Sequence, residues 1–312
     1  MRKSFLRKII WIAIIGILLV SILPNIISNY WLIDIFSNFK LQYFFLSILL
    51  LIVSSLLLKN KIFALILITI SILWNSYYIA PYYLNYNKLK STTKANFKIS
   101  SINLLSSNSR TDLVTNYIEK EKPDILILME FTPDWNNELV PIIKNYPYKQ
   151  LVPRRDNFGI AVLSKFEMRS VIDYFGLNDK PSIVGNITIE NEKYSLVATH
   201  PIPPINQRTF KNRNKQLSNI INKRSTFSKN LIVIGDFNTS SFSNHFDILL
   251  QGDLKDSRIG FGLLSTWPAD LEFFQTTLDH CLVSLNLDVL ERSKGENIGS
   301  DHLPINIVIG VN

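Results

Sequence analysis

Residues 231–238 read LIVIGDFN, and this stretch decides much of the fold. Four apolar branched residues in a row are typical of a β-strand, and the Gly-Asp-Phe-Asn that follows ends the strand with polar side chains. Similar short runs predict seven more strands, at 97–103, 124–130, 159–164, 182–189, 194–200, 278–284 and 304–309. Helical patterns cover 111–122, 134–145 and roughly 207–223. Many strands with few helices predict packed sheets flanked by helices, rather than a doubly wound parallel sheet.

The first third of the chain has the pattern of a membrane anchor. Uncharged, largely apolar runs cover residues 9–33, 41–58 and 62–87, with aromatic residues near their ends. Because a bilayer core of about 30 Å takes roughly 20 helical residues to cross, the runs predict three transmembrane helices within 1–80. We expect 81–96 to be a short polar tether and 97–312 to be one folded domain. A cleaved signal peptide followed by core helices is the alternative, which the two further long runs disfavour.

Charge is unevenly distributed between these two parts. Residues 1–96 hold ten basic residues and one acidic residue, whereas 97–312 hold 23 basic and 24 acidic residues. The overall charge of +8 therefore gives no reason to regard 97–312 as a nucleic-acid binder. Basic residues before the first span and between the second and third predict a cytoplasmic side there. We therefore expect a multi-pass protein of the plasma (inner) membrane, with 97–312 outside the cytoplasm.

Polar residues gather at the ends of the predicted strands, where a rigid sheet can hold them in fixed geometry. The set comprises Asn103, Glu130, His200, Asp236, Asn238, Asp279, Asp301 and His302. Cys281 is the single cysteine, which excludes an intramolecular disulfide framework and a zinc site built on several thiolates.

These residues stand in ordered motifs. They are Asn103, Leu128-Met129-Glu130, Thr199-His200-Pro201, Gly235-Asp236-Phe237-Asn238, Leu278-Asp279-His280 and Ser300-Asp301-His302. In this order they resemble the endonuclease/exonuclease/phosphatase superfamily, the metal-dependent phosphoesterases related to deoxyribonuclease I, and most of all a bacterial branch with N-terminal membrane helices. The resemblance implies an α/β fold: a four-layer sandwich of two packed β-sheets flanked by helices, here preceded by three transmembrane α-helices.

The resemblance also implies a metal site. Glu130 would hold a divalent cation, Mg²⁺ (or Mn²⁺), with Asn103 beside it and Asp301 helping at the metal or positioning the water. A sparse set of oxygen ligands suits Mg²⁺, which keeps several waters and binds substrate phosphate oxygens.

The remaining roles implied by the resemblance are catalytic. His302 would be the general base, with Asp279 fixing its tautomer. Asp236 and Asn238 would orient the nucleophile and the phosphoryl oxygens. His200 would donate to the charge that develops at phosphorus.

Other residues are open to more than one interpretation. The acid-free segment 194–235 is either a solvated helix face or a rim for an anionic substrate or lipid, in which Arg213 is the best candidate to bind phosphate. We expect His280 to pack in the core and His245 to lie on the surface. Trp267 belongs to the core or to the rim of the cleft.

The function implied is a membrane-anchored phosphoesterase that hydrolyses phosphodiester or phosphomonoester bonds by in-line attack of water. Its substrate would be nucleic acid or a phospholipid head group. Its other partner would be the lipid bilayer, and no protein partner is predicted. The alternative is a catalytically inactive binding module anchored at the membrane. A transporter is disfavoured because the uncharged runs contain no ionisable residue that could mark a pathway.

Overall fold

The computed structural model describes residues 2–84 and 95–311. The described part of the chain contains twelve strands. They are β1 Ala95–Asn103, β2 Ile125–Met129, β3 Tyr148–Val152, β4 Ile160–Ser164, β5 Met168–Asp173, β6 Ser182–Ile189, β7 Glu192–Thr199, β8 Asn230–Asp236, β9 Leu254–Asp256, β10 Asp279–Ser284, β11 Asp288–Lys294 and β12 Ile305–Val311. They form two six-stranded sheets, in the orders β11-β12-β1-β2-β4-β3 and β5-β6-β7-β8-β10-β9.

The helices surround these sheets and precede them. They are α1 Arg2–Ile26, α2 Trp31–Asp34, α3 Lys40–Leu57, α4 Ile62–Tyr83, α5 Thr111–Glu121, α6 Pro133–Glu138, α7 Val140–Ile143, α8 Gln207–Asn222 and α9 Asn244–Asp247. A 3₁₀ helix, Ile35–Phe39, joins α2 to α3.

The two sheets pack face to face and are covered on their outer faces. Branched residues of both sheets, such as Ile127 and Ile234, fill the space between them together with Cys281, which is fully buried. A second apolar cluster lies under α5, α6 and α7, and a third under α8 and α9. The result is the four-layer sandwich expected from the sequence, since each sheet buries one face against the other sheet and one against helices.

The anchor, which we define as residues 2–83, is a bundle of the three long helices α1, α3 and α4. Each belongs to a stretch long and apolar enough to cross a membrane: Ser4–Ile26, Trp31–Leu57 and Ile62–Tyr83. Serine and asparagine side chains, including Ser21, Ser71 and Asn75, hydrogen-bond to one another inside the bundle. The outward side chains are apolar, as a lipid environment requires.

Among the described residues, the hydrogen bonds between the anchor and the sheet sandwich lie at one end of the bundle. Asn25 Nδ2 donates to the Phe242 carbonyl at 2.9 Å, and Tyr82 OH donates to Asp256 Oδ2 at 3.2 Å. The C-terminal ends of α1 and α4 and the N-terminal end of α3 all lie at this end of the bundle. Lys59, between α3 and α4, lies at the other end, so the sandwich is on the opposite side from the basic residues used to predict orientation.

Several predicted boundaries differ from those in the structure. Strands β3, β5, β9 and β11 were not predicted, because they are short or largely solvent-facing and lack a continuous apolar run. The helix predicted at 134–145 is two short helices, since Pro141 has no N–H to continue the first. Helix α4 continues to Tyr83, into the expected tether, of which 85–94 lie outside the described residues.

Candidate active site

Asp236 lies at the centre of a polar cluster at one end of the sandwich. Its Oδ2 atom is 3.5 Å from His200 Nε2, 3.5 Å from His302 Nε2 and 3.4 Å from Asn103 Nδ2. The sheet topology explains this convergence. Strand β10 pairs antiparallel with β8 so that Asp279 lies opposite Asp236, and His200 follows β7, the parallel neighbour of β8.

His302 and Asp279 form a hydrogen-bonded pair. The distance between His302 Nδ1 and Asp279 Oδ2 is 2.8 Å, and both side chains are buried. Ser300 holds the loop in place, because its hydroxyl donates to the Asn103 carbonyl at 2.7 Å and accepts from the His302 N–H at 3.1 Å. Because the Nδ1 proton is shared in the hydrogen bond to Asp279, the other ring nitrogen of His302, Nε2, is the one that faces Asp236.

Glu130 lies beside Asn103 because β1 and β2 are parallel neighbours. Asn103 Nδ2 is 3.4 Å from Glu130 Oε1 and 3.4 Å from Asp236 Oδ2, so two buried carboxylates share one weakly bound amide donor. The other Glu130 oxygen accepts from the Ser106 N–H at 2.8 Å. Amide donors this distant compensate little of the negative charge of two buried carboxylates.

The backbone at the site is strained in places. Glu130 has φ of 54° and Asn238 has φ of 51°, both in the left-handed region that few residues with a side chain adopt. Such conformations concentrate at functional sites, where the surrounding structure imposes them. Asn238 is held by its N–H, which donates to Asp236 Oδ1 at 2.9 Å, and by its amide, which donates to the Pro201 carbonyl at 3.0 Å.

The charges of the cluster shift its protonation equilibria. Burial alone would lower the pKa of His302, but the negative charges of Asp279 and Asp236 raise that pKa to about 10. Burial likewise opposes ionisation of Asp236, yet His302 and His200 lower its pKa to about 2. Burial lowers the pKa of His200, but the interaction with Asp236 and the charge of Glu130 together raise it by more. The cluster therefore favours charged carboxylates next to protonated imidazoles.

The donor set fits a hard divalent cation. Carboxylate oxygens of Glu130 and Asp236 both lie 3.4 Å from Asn103 Nδ2, and Asp301 Oδ1 is buried with no hydrogen-bond partner among the described residues. Ligand atoms of Asp236, Asp279 and His302 also lie within 4.8 Å of one another. Because His302 Nδ1 is hydrogen-bonded to Asp279, this group of three could ligate a cation only through carboxylate oxygens and His302 Nε2.

Arg213 is not on an open rim. Its side chain is buried, and its guanidinium donates to the Asn238 carbonyl at 2.6 Å and to Asp34 Oδ2 in the anchor at 3.4 Å. Arg213 was expected on an exposed rim, and this expectation was wrong. The side chain is buried because it pairs with Asp34, which lies in the other part of the chain. Substrate binding by Arg213 stays a prediction, and the contacts seen give this side chain a structural role.

The structure also gives the positions of Trp267, His280 and His245. Trp267 is at the site: its Nε1 donates to Asp301 Oδ2 at 3.2 Å, and its ring centroid is 6.4 Å from that of His302. His280 is buried between Arg258 and the Thr239 carbonyl, as expected for a core histidine. His245 is half-buried and contacts the Ser28 carbonyl of the anchor, so its predicted surface position was wrong.

Sequence reasoning missed two neighbours of the site. The Phe158 ring lies 5.7 Å from the ring of His200, and Ser300 orders the loop that carries His302. Phe158 stands outside the motifs, whereas Ser300 is part of one and could have been assigned this role.

A four-layer sandwich with a buried carboxylate and imidazole cluster at its strand ends defines the class as phosphoesterase-like. The family model described as "Endonuclease/Exonuclease/phosphatase family" matches residues 100–302, more than half of the chain. The chain therefore belongs to the endonuclease/exonuclease/phosphatase family.

Solved structures agree with this fold. TDP2 from D. rerio, solved with a single-strand DNA product, is 18% identical, with a TM-score of 0.60, covering 70% of this chain and 100% of that one. A family protein from Bacteroides vulgatus is 15% identical, with a TM-score of 0.58 and coverage of 70% and 100%. A family protein from Leptotrichia buccalis is 17% identical, with a TM-score of 0.56 and coverage of 68% and 98%. No curated protein matches the chain significantly.

Proposed function

We propose that this protein is a membrane-anchored, metal-dependent phosphoesterase that hydrolyses phosphodiester or phosphomonoester bonds by in-line attack of an activated water. The observation that carries the proposal is the His302–Asp279 pair, at 2.8 Å, facing Asp236 within a cluster of buried carboxylates. An imidazole oriented by a carboxylate is the usual arrangement of a general base.

The residues of the chain divide the chemistry among them. Asp279 holds the Nδ1 proton of His302, so that Nε2 in its neutral form accepts a proton from the attacking water. Asp236 accepts hydrogen bonds at the centre of the cluster and orients the water and the phosphoryl group. His200, hydrogen-bonded to Asp236 and with a raised pKa, donates to the charge that builds up on the phosphoryl oxygens.

Glu130, Asn103 and Asp301 would hold the divalent cation. When bound, Mg²⁺ or Mn²⁺ supplies positive charge that stabilises the developing negative charge of the ester oxygens. The same charge offsets the repulsion between Glu130 and Asp236, which share only one distant amide in the structure.

A catalytically inactive binding module is the second candidate. Nothing in the described site favours it, since all eight residues predicted as metal ligands or catalytic residues lie in or beside the cluster. Arg213, the ninth predicted residue, is the exception. Hydrolysis of nucleic acid is supported by the likeness to TDP2, which was solved with a DNA product.

Membrane anchoring and orientation are part of the proposal. The three long apolar helices of the anchor would cross the plasma (inner) membrane, and the basic residues at the far end would lie in the cytoplasm. The sandwich would then lie outside the cytoplasm. A reporter fused after residue 312 should be active only in the extracytoplasmic space; activity in the cytoplasm would overturn this orientation.

The reaction can be tested with the full chain in detergent micelles and the soluble ester bis(p-nitrophenyl) phosphate. Hydrolysis should need Mg²⁺ or Mn²⁺ and should stop in excess chelator. His302→Ala and Asp279→Asn should each lower turnover by at least ~10²-fold, the usual contribution of general acid–base groups. Asp134→Asn, an exposed carboxylate at the start of α6, is the matched control and should leave turnover unchanged. Near-normal rates in the two site variants would contradict the assignments.

A further inference from the structure

Two loops beside the candidate active site expose large apolar side chains to solvent. One is the segment 201–206, which follows His200 and carries Ile205, 69% exposed. The other is the segment 264–278, which leads into Asp279 and carries Leu271, Phe273 and Phe274, each more than half exposed. We call these segments the lip loops. Neighbouring exposed aromatic residues on a loop tip are costly in water and indicate a surface that another phase or molecule covers.

The lip loop at 264–278 joins the site to the anchor. At the site, Trp267 Nε1 donates to Asp301 Oδ2 at 3.2 Å. At the anchor, Gln42 Nε2 donates to the Phe273 carbonyl at 2.9 Å, and Thr276 Oγ1 donates to the Asn38 carbonyl at 3.0 Å. Asn38 lies in the 3₁₀ helix that precedes α3, and Gln42 lies in the first turn of α3.

The lip loop at 201–206 has the same arrangement on the other side. The Pro201 carbonyl accepts from Asn238 Nδ2 at 3.0 Å, next to Asp236. At the far end of the loop, Gln207 Oε1 accepts from the Trp31 N–H at 2.9 Å, and Gln207 Nε2 donates to the Asn29 carbonyl at 2.9 Å. Ile205 therefore lies two residues from a contact with the connection between α1 and α2.

These contacts fix the level of the lip loops relative to a bilayer. The anchor residues involved, 29–42, run from just after α1 to the first turn of α3 and expose Tyr30, Leu32 and Phe36. Aromatic and apolar residues at the ends of spans lie at the interface between hydrocarbon and water. Both lip loops meet the anchor at that same level, through the Phe273 carbonyl and Thr276 in one case and through the adjoining Gln207 in the other.

We propose that Ile205, Leu271, Phe273 and Phe274 insert into the bilayer surface, and that the site takes a phosphate ester carried on a membrane lipid. The part about the substrate rests on the proposed hydrolysis. The bilayer is the occupant that the structure favours, because the lip loops continue from membrane-spanning helices. Holding the site at the surface raises the effective concentration of a lipid ester without a new contact. Bases of a nucleic acid could stack on Phe273 and Phe274, but they would gain nothing from the aliphatic Ile205 and Leu271, which suit acyl chains.

Bilayer contact can be measured without any activity. Because Cys281 is buried and is the only cysteine, Phe274→Cys offers a single reactive position for an environment-sensitive fluorophore. In phosphatidylcholine vesicles, label at position 274 should show blue-shifted emission and quenching by brominated acyl chains. Leu285→Cys is the control: Leu285 is equally exposed, but it follows the end of β10 opposite Asp279. Label at 274 that behaves like label at 285 would overturn the bilayer contact.

The substrate class is tested by paired substrates. The reconstituted full chain with Mg²⁺ is given vesicles of phosphatidylcholine, phosphatidylglycerol or phosphatidic acid, the deacylated form of each, single-stranded DNA and bis(p-nitrophenyl) phosphate. We expect at least one lipid to be hydrolysed ~10-fold faster than its deacylated form. Phe273→Ser/Phe274→Ser should lower the ratio of lipid to chromogenic ester turnover about tenfold, and Leu285→Ser should not change it.

The remaining outcomes separate the two proposals. Hydrolysis of the chromogenic ester with no lipid preferred over its deacylated form, or with DNA turned over fastest, overturns the lipid substrate and leaves the proposed reaction standing. Failure to hydrolyse the chromogenic ester and every other substrate counts against the proposed reaction, whereas the fluorescence measurement still decides the bilayer contact.

Discussion

At the scale of single residues, His302 is a buried imidazole that lies between two carboxylates. Burial favours its neutral form, but Asp279 at 2.8 Å and Asp236 at 3.5 Å favour the imidazolium more strongly. The pKa of about 10 belongs to the protein without a cation. A divalent cation bound next to these carboxylates would oppose the imidazolium charge and bring the pKa down towards the range useful for a base.

The raised pKa of His302 makes stability depend on pH in chelator. A histidine whose pKa rises from 6.5 to about 10 on folding stabilises the native state fully below pH ~6.5. That stabilisation is lost as the pH rises through the folded pKa. The free energy of unfolding of the wild type should therefore exceed that of His302→Gln most at pH 6, and the difference should shrink by pH 10. Urea denaturation of both proteins with chelator measures it; a difference that stays constant with pH would contradict the shift.

The sequence predicted well which residues converge at the site, but it did not predict the buried position of Arg213. Asn103, Glu130 and Asp236 stand at strand ends in an order typical of the family, so their convergence was predictable from the motifs. Arg213 hydrogen-bonds to Asp34, 179 positions away and in the anchor. No periodicity or motif links these two residues, because the contact depends on how the anchor sits on the sandwich.

At the scale of elements, Gly235 shows how closely β7 and β8 approach each other near the site. Its φ is +144°, and a Cβ atom placed there would lie 2.0 Å from the Thr199 carbonyl oxygen. The strands would have to separate just before His200 and Asp236. Glycine at this position is therefore required by backbone contact, and not only by backbone conformation.

Gly235→Ala should lower both stability and turnover. Forcing an extra carbon into a well-packed position costs typically about 1–3 kcal/mol, and the displaced strand carries Asp236. Gly252→Ala is the control, because Gly252 also has a positive φ of +103° but no atom within 4 Å of the added carbon. Thermal unfolding in detergent and hydrolysis of the chromogenic ester measure the two effects. Equal losses in the two variants would show that conformation alone, and not contact, sets the requirement.

The strands that the sequence predicts most clearly are those buried on both faces. Strand β2 and strand β8 are buried throughout, so each forms a continuous apolar run that stands out in the sequence. Strand β3, at the edge of its sheet, is half-exposed and reads YKQLV. Its pairing with β4 comes from the tertiary structure, which sequence patterns report weakly for edge strands.

At the scale of the whole molecule, a buried charge cluster connects the anchor to the sheet sandwich. Asp34, in the anchor, accepts from Ser243 Oγ at 2.6 Å and from Arg213 at 3.4 Å, and all three side chains are buried. Arg213 also donates to the Asn238 carbonyl at 2.6 Å. The cluster therefore connects the membrane part directly to the backbone of the site.

Removing one partner of this cluster should be costly. Asp34→Ala leaves the Arg213 guanidinium buried without its carboxylate, which typically costs about 3–5 kcal/mol. We expect Asp34→Ala to lower the unfolding temperature, and the double variant Asp34→Leu/Arg213→Met to recover much of the loss because no charge is left unpaired. Thermal unfolding in detergent measures both. A double variant less stable than Asp34→Ala would show that packing, rather than charge pairing, holds the cluster together.

The placement of Cys281 between the two sheets gives the chain an internal reporter of its own opening. Burial raises the pKa of this thiol to about 12, so the reactive thiolate is scarce at neutral pH even apart from access. A thiol reagent can reach the sulfur only after the sheets part. The rate at which such a reagent modifies the protein's sole sulfhydryl therefore measures how often the two sheets separate. The measurement does not depend on whether any ester is being cleaved.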